Sequence, residues 1–185
     1  MSGADGRTAV VRVWDPFVRV FHWTLAASFV AAWLTSGGWE TTHAAVGYLA
    51  GTLVAMRIVW GFVGPRYARF VQFVRTPRTV IAYLRAIRDG SERRYIGHNP
   101  AGGAMIVVLL AVVAAAAVSG WLLTTDAFWG SVTMQHVHSA FADGALALVA
   151  LHLVGVAVAS RRHGENLVRA MVVGVKRAAG TGDVA

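Results

Sequence analysis

The chain contains no cysteine. That removes a disulfide framework, thiolate-ligated zinc, iron–sulfur clusters and the C-x-x-C-H attachment of a covalent haem, leaving the seven histidines to carry any metal chemistry. Charge is scarce as well: 14% of the 185 residues are charged, 56% are hydrophobic, and mean hydropathy is +0.55. A soluble domain carries about a quarter of its residues charged, so much of this surface faces lipid. Acid is the scarcer sign, nine Asp and Glu against seventeen Lys and Arg, giving a net charge of +8 and a pI near 11.2. A balance that basic raises nucleic acid as a partner until the charges are placed.

Stretches free of charge define four candidate spans, about 17–34, 43–63, 101–124 and 135–160, each near the 20 or so apolar residues that a bilayer crossing needs. The second is charge-free for sixteen residues, with Arg57 near its end, where a long side chain can snorkel to the headgroups. The first has no small-residue cleavage site after it and reads as a retained anchor rather than a removed signal peptide. The basic residues fall in three segments: Arg7, Arg12 and Arg19; nine arginines from Arg57 to Arg94; and Arg161, Arg162, Arg169, Lys176 and Arg177. Four crossings put all three segments on one side, and the positive-inside rule makes that side cytoplasmic, both termini included. The charge excess is thereby a topology signal, compatible with anionic headgroups and with no nucleic-acid partner.

The expected fold is all-α, an integral-membrane four-helix bundle forming one domain over 1–185, with a cytoplasmic connection at 64–100 and a tail at 161–185. Within the connection, Pro77 opens and Gly90 closes an amphipathic segment that fits an interfacial helix. The Gly/Thr/Asp end after Ala179 reads as frayed. An aromatic belt at the span ends accounts for nearly all seven tryptophans.

Histidine within a span is costly and calls for a partner, so its depth matters. His22 lies at the cytoplasmic end of the first span and His43 at the outer end of the second. His138 and His152, fourteen residues apart on the fourth, stand about 40° from eclipsed and about 21 Å apart along the axis. His22 can therefore meet His152 at one depth, and His43 can meet His138 at the other. Two facing imidazoles at each of two levels suit bis-histidine ligation of two non-covalent b-type haems. Zinc would gather four donors, and a proton relay would not require pairing by depth. Gly47, Gly51 and Gly155 leave room for a flat cofactor, although a lone Gly-x-x-x-Gly also serves helix packing. Arg19 and Arg57 stand where haem propionates would need cations, or snorkel. His98 precedes Asn99 as N-cap and Pro100 as first helical residue, and reads as interfacial. His136 faces about 200° from His138 and is the alternative ligand on that span. His163 reads as solvated, and Asp143 has no assigned partner.

Together these pieces resemble the bacterial cytochrome b561 and NiFe-hydrogenase b-type cytochrome family: Arg19-x-x-His22-Trp23, His43-x-x-x-Gly47-Tyr48, Arg57-x-x-Trp60-Gly61-Phe62, His98-Asn99-Pro100-x-Gly102, His138 with His152, and Glu165-Asn166-Leu167. The likeness runs from about Val11 to Arg177. It implies a diheme cytochrome b of the bacterial inner membrane with His22, His43, His138 and His152 as axial ligands. It also implies electron transfer between the quinone pool and a partner redox protein, with quinone a candidate ligand. The short connection from Thr35 to Thr42 departs from the hydrogenase-associated members, which weakens the case for a hydrogenase and brings in a small soluble cytochrome c or a stand-alone role.

With both axial positions of each haem filled, neither iron offers an open site, which favours electron relay over catalysis at iron. Two other functions compete: a self-sufficient quinone-linked oxidoreductase, such as a superoxide-oxidising cytochrome, and a cofactor-free membrane scaffold. The relay reading predicts two haems per purified chain by reduced-minus-oxidised spectrum and haem-to-protein ratio. A colourless protein ends it, and one haem per chain removes one histidine pair.

Overall fold

A computed structural model describes residues 9–185, so the expectation placed on Arg7 lies outside the described residues. The elements in order are β1 (Val10–Arg12), α1 (Pro16–Thr35), α2 (Glu40–Val63), a 3-10 turn (Arg66–Ala68), α3 (Phe70–Phe73), α4 (Pro77–Asp89), α5 (Pro100–Leu122), α6 (Val132–Arg162), α7 (Leu167–Val173) and β2 (Val175–Arg177). α1, α2, α5 and α6 are each long and apolar enough to cross a membrane.

Local chemistry sets the helix ends. Asp15, Thr76, Asn99, Ser131 and Asn166 each cap a helix, the side-chain oxygen accepting from the backbone N–H three residues on. Such a cap contributes about 1 kcal/mol. Proline opens α1, α4 and α5, where its missing N–H costs nothing. α4 and α7 stop at Gly90 (φ +69°) and Gly174 (φ +85°), left-handed positions that glycine adopts without strain.

α1 packs on α2, α2 on α5, and α5 on α6, whereas α1 and α2 stand farther from α6. Phe21, Val54 and Leu110 centre the core that joins α1, α2 and α5. α6 buries Ala145 alone and stays at the edge of the bundle. α1 starts, α2 ends, α5 starts and α6 ends at one end of the bundle, which also carries the basic segments. The opposite end has short connections.

At the basic end the all-α expectation is corrected. β1 and β2 form an antiparallel pair, with Val10 opposite Arg177, Val11 opposite Lys176 and Arg12 opposite Val175. Three-residue strands are too short to leave a periodic signal, and their partners are far apart in the chain. Trp14 is also no belt residue: it is buried with Val13, Ile96 and Ala170 in a second small core. The tail is not frayed, since the Val184 N–H donates to the Arg94 carbonyl (2.8 Å) and the Ile96 N–H to the Val184 carbonyl (2.9 Å). α4 occupies the segment that Pro77 and Gly90 delimit, packs on α5, and sets Tyr83 edge-on to Tyr95 at 5.6 Å.

A buried ionic network locks these pieces. The Arg94 guanidinium donates to Glu165 (2.8 Å), Asp183 (2.5 Å) and the Arg177 carbonyl (2.8 Å). The Lys176 ammonium meets Glu165 at 3.3 Å and the Tyr95 carbonyl at 3.1 Å. Burial alone would raise the Glu165 carboxyl, but the Arg94 hydrogen bond and the Lys176 charge outweigh it and hold it below its ordinary value. Asp183 is held down by the Gly180 N–H and by Arg94.

Carboxyls whose folded pKa is depressed stabilise fully above their unfolded value, about 4.5 or lower, and lose that contribution as pH falls through the folded value. The thermal unfolding midpoint in detergent should therefore fall on acidification below that range. Arg94→Met leaves Glu165 short of its strongest partner and Asp183 unpaired, at a cost of about 3–5 kcal/mol. Amide exchange at Ile96 and Val184 reads the loss; unchanged protection there contradicts it.

Candidate functional site

The histidines gather at the two ends of the bundle. At the short-connection end, His43 sits in the first turn of α2, its Nδ1 2.9 Å from the Ala32 carbonyl of α1. His138, near the start of α6, has its Nδ1 3.0 Å from the Ala116 carbonyl of α5 and 3.3 Å from the Ser119 hydroxyl. A carbonyl oxygen only accepts, so Nδ1 is the protonated nitrogen of both rings and Nε2 keeps its lone pair for a metal. The two ring centroids are 6.0 Å apart with planes at 89°. Metal–nitrogen bonds of about 2.0 Å put the centres of two imidazoles on one metal roughly 6 Å apart, the spacing found here. His136 is exposed, so His138 is the residue that faces His43. Gly120 makes room for that ring, since a Cβ there would stand 3.0 Å from His138 Cε1.

At the basic end His22 and His152 are half-buried on α1 and α6. Five side-chain nitrogens among the described residues are sealed from solvent without a hydrogen-bond partner: Arg19 Nε, His22 Nδ1, Arg57 Nη1, Trp60 Nε1 and His98 Nδ1. All five belong to this end, on the first turns of α1, the last turns of α2 and the residues before α5. Arg57 does not snorkel. It is buried, its Nη2 donates to the Ala68 carbonyl at 3.1 Å, and its guanidinium lies 5.4 Å from the Phe70 ring centre and 6.0 Å from that of Phe73. Arg19 reaches the Val172 carbonyl on α7. His98 is not a surface histidine either, because its ring is held between Trp14 (4.5 Å) and Phe73 (4.9 Å). Burial, then the charges of Arg57, Lys176, His152 and His22, push it down to about 3, so it is neutral at physiological pH.

The glycines divide by role. A Cβ at Gly51 would meet Ala117 Cβ at 3.2 Å, which is close packing of α2 on α5. A Cβ at Gly47, one turn from His43, or at Gly155, three residues past His152, would meet nothing within 4 Å. Among the described residues no three of His, Asp and Glu gather as a metal cluster.

A family model described as prokaryotic cytochrome b561 matches residues 13–174. The chain belongs to the prokaryotic cytochrome b561 family. No curated protein and no solved structure matches the chain. Family membership makes it a b-type cytochrome of electron transfer, and its four long apolar helices make it a multi-pass membrane protein in contact with lipid and with redox partners. The residues present fit a b-type haem. Such a haem is held without thioether bonds, in keeping with a cysteine-free chain; the His43–His138 spacing fits axial ligation, and the sealed donors of the basic end suit propionate carboxylates.

The histidines and arginines of this cytochrome b561 stood out in the sequence by charge and depth. The carbonyls of Ala32 and Ala116 did not, because a backbone acceptor has no letter of its own. Gly120 was hidden among many glycines, and Trp60, though part of a quoted motif, had no role of its own assigned to it. Gly120→Val should displace the His138 ring and at least halve haem per chain, measured by pyridine haemochrome. Gly47→Leu should leave the thermal stability of the haem-free chain unchanged while lowering haem content. Full haem content in either variant contradicts the assignment of that space.

Proposed function

We propose that the chain is a diheme cytochrome that relays electrons across the bacterial inner membrane between the quinone pool and a redox partner protein. His43 and His138 hold one haem, and His22 and His152 hold the other. The observation that carries this reading is the His43–His138 pair, with centroids 6.0 Å apart and each Nδ1 on a backbone carbonyl oxygen. Bound haem iron supplies a one-electron carrier at each level.

The protein's part is orientation and charge. Ala32 and Ala116 fix the tautomers of His43 and His138, so that Nε2 of each is the ligating atom. The α6 backbone sets the two levels about 21 Å apart along its axis, fourteen residues at 1.5 Å each. Arg19 and Arg57 bring cations to the propionates of the basic-end haem. The concentration of Lys and Arg at that end supports a cytoplasmic placement for it and for both termini. Exposed Ile81 and Leu84 on arginine-rich α4 support its lying in the headgroup region. Small soluble cytochrome c and other membrane redox proteins are the partner classes this reading favours.

Single replacements separate the two levels. His43→Ala and His22→Ala should each remove one haem and leave the other, read by haem-to-protein ratio and by the number of waves in a spectroelectrochemical titration. Two haems retained after either change would falsify the ligand assignment.

A further inference from the structure

The sealed donors of the basic end include two that the ligand assignment and its arginines do not use, His98 Nδ1 and Trp60 Nε1. His98 is the better placed. Its ring packs against Trp14 and Phe73, which fix its place, and its Nδ1 is sealed from solvent. The Phe73 ring is also the one beside the Arg57 guanidinium, which places His98 and Arg57 on a common aromatic residue. The charged and titratable groups that act on His98 are Arg57 from α2, Lys176 from β2, His152 from α6 and His22 from α1. Through Phe73 it stands beside the arginine assigned to the propionates of the basic-end haem. A neutral imidazole carries one N–H, and on Nδ1 of His98 it would have no acceptor; leaving a buried N–H unsatisfied costs about 1–3 kcal/mol, so that tautomer asks for one. Cationic neighbours make the fitting acceptor an anion, and a carboxylate can accept from His98 and Arg57 Nη1 together.

We propose that His98 is a positioning residue whose Nδ1–H, together with Arg57 Nη1, holds a propionate carboxylate of the basic-end haem and raises the reduction potential of that haem alone. The inference rests on the proposed His22–His152 ligation. A hydrogen bond to the carboxylate withdraws negative charge from the porphyrin edge. Removing it leaves that charge better able to stabilise ferric iron, and the potential falls. His98 does so as a neutral donor and is not a ligand.

The test uses the full-length holoprotein in detergent, titrated spectroelectrochemically. His98→Phe keeps a ring between Trp14 and Phe73 and deletes the donor, while His98→Gln keeps a donor. Two haems should remain in both. In His98→Phe the wave that disappears in His22→Ala should shift about tenfold toward the oxidised form, about 59 mV lower for a one-electron couple, with the other wave in place. His98→Gln should recover most of the shift. Reconstitution with haem dimethyl ester, which has no carboxylate to hold, should bring wild type and His98→Phe to the same potential.

No shift in His98→Phe, equal shifts in Phe and Gln, loss of the haem from both, or a difference that persists with the dimethyl ester overturns the assignment. Where His22→Ala still removes one haem, those results leave the diheme reading standing. A chain that keeps both haems after His22→Ala overturns the two together.

Discussion

A polar side chain on an apolar helix has to find a partner within reach, because the bilayer interior offers it no water. The hydrogen bonds from His43 to the Ala32 carbonyl and from His138 to the Ala116 carbonyl meet that constraint, and the chemistry of the chain follows from how they do so. Each uses one ring nitrogen and a backbone oxygen of the neighbouring helix. The second nitrogen is left as a lone-pair donor on a ring whose centre lies 6.0 Å from that of the opposite imidazole. One interaction therefore docks a helix, selects a tautomer and, on the proposed reading, prepares a ligand. A side-chain acceptor could have moved with its own rotamer, whereas a carbonyl within a helix has a fixed direction. That rigidity is what a redox site needs if its geometry is to change little between oxidation states.

The basic end meets the same demand differently. Arg94, Lys176, Glu165 and Asp183 satisfy one another, and they tie the tail, the α6–α7 turn and the residues before α5 into one cap. Buried ionic groups of this kind are weak evidence of net stability, because the desolvation of each ion offsets much of the attraction. Their clearer consequence is placement: the cap brings Lys176 toward His98 and helps hold the loop on which His98 sits. Beside this saturated network lie the five sealed nitrogens without partners. The contrast is informative, since a fold that satisfies a buried arginine three ways a short distance away has no general difficulty in supplying acceptors. On the proposed reading, these unpartnered nitrogens face a group that brings acceptors of its own.

Much of this was legible in the sequence, for identifiable reasons. Long apolar runs and clustered arginines are signals summed over many residues, so the four long helices and their common basic end stood out. Pro77 with Gly90, and Asn99 with Pro100, act locally through backbone geometry, and both pairs delimit helices as read. The β1–β2 pair escaped because three-residue strands carry no period and their partner lies at the far end of the chain. The docking of Val184 escaped because Gly-Thr-Gly-Asp reads as loose chain until a buried arginine is found to need its aspartate. His98 was read by the commonest fate of its type, the membrane surface, and Arg57 was left between that fate and a haem propionate. Aromatic residues from distant parts of the chain enclose them instead, and no local pattern announces that.

The placement of α6 at the edge of the bundle, packed chiefly on α5, has the same origin. Helices in lipid gain little from burying apolar surface against one another, so close approach and polar contacts decide which pairs pack. α2 and α5 approach through Gly51 and Ala117. α6 buries only Ala145, while His138 contacts α5 through Ala116 and faces His43 across a 6.0 Å gap between ring centres. On the proposed reading, α6 is joined to α1 and α2 through the cofactors that its two histidines share with them. Anything that binds only the assembled bundle stabilises it by mass action, so haem binding and the seating of α6 are one equilibrium. The ligands of both levels then share a helix whose protein packing runs chiefly through α5, so a bound haem would add the ties to α1 and α2 that the side chains alone leave sparse.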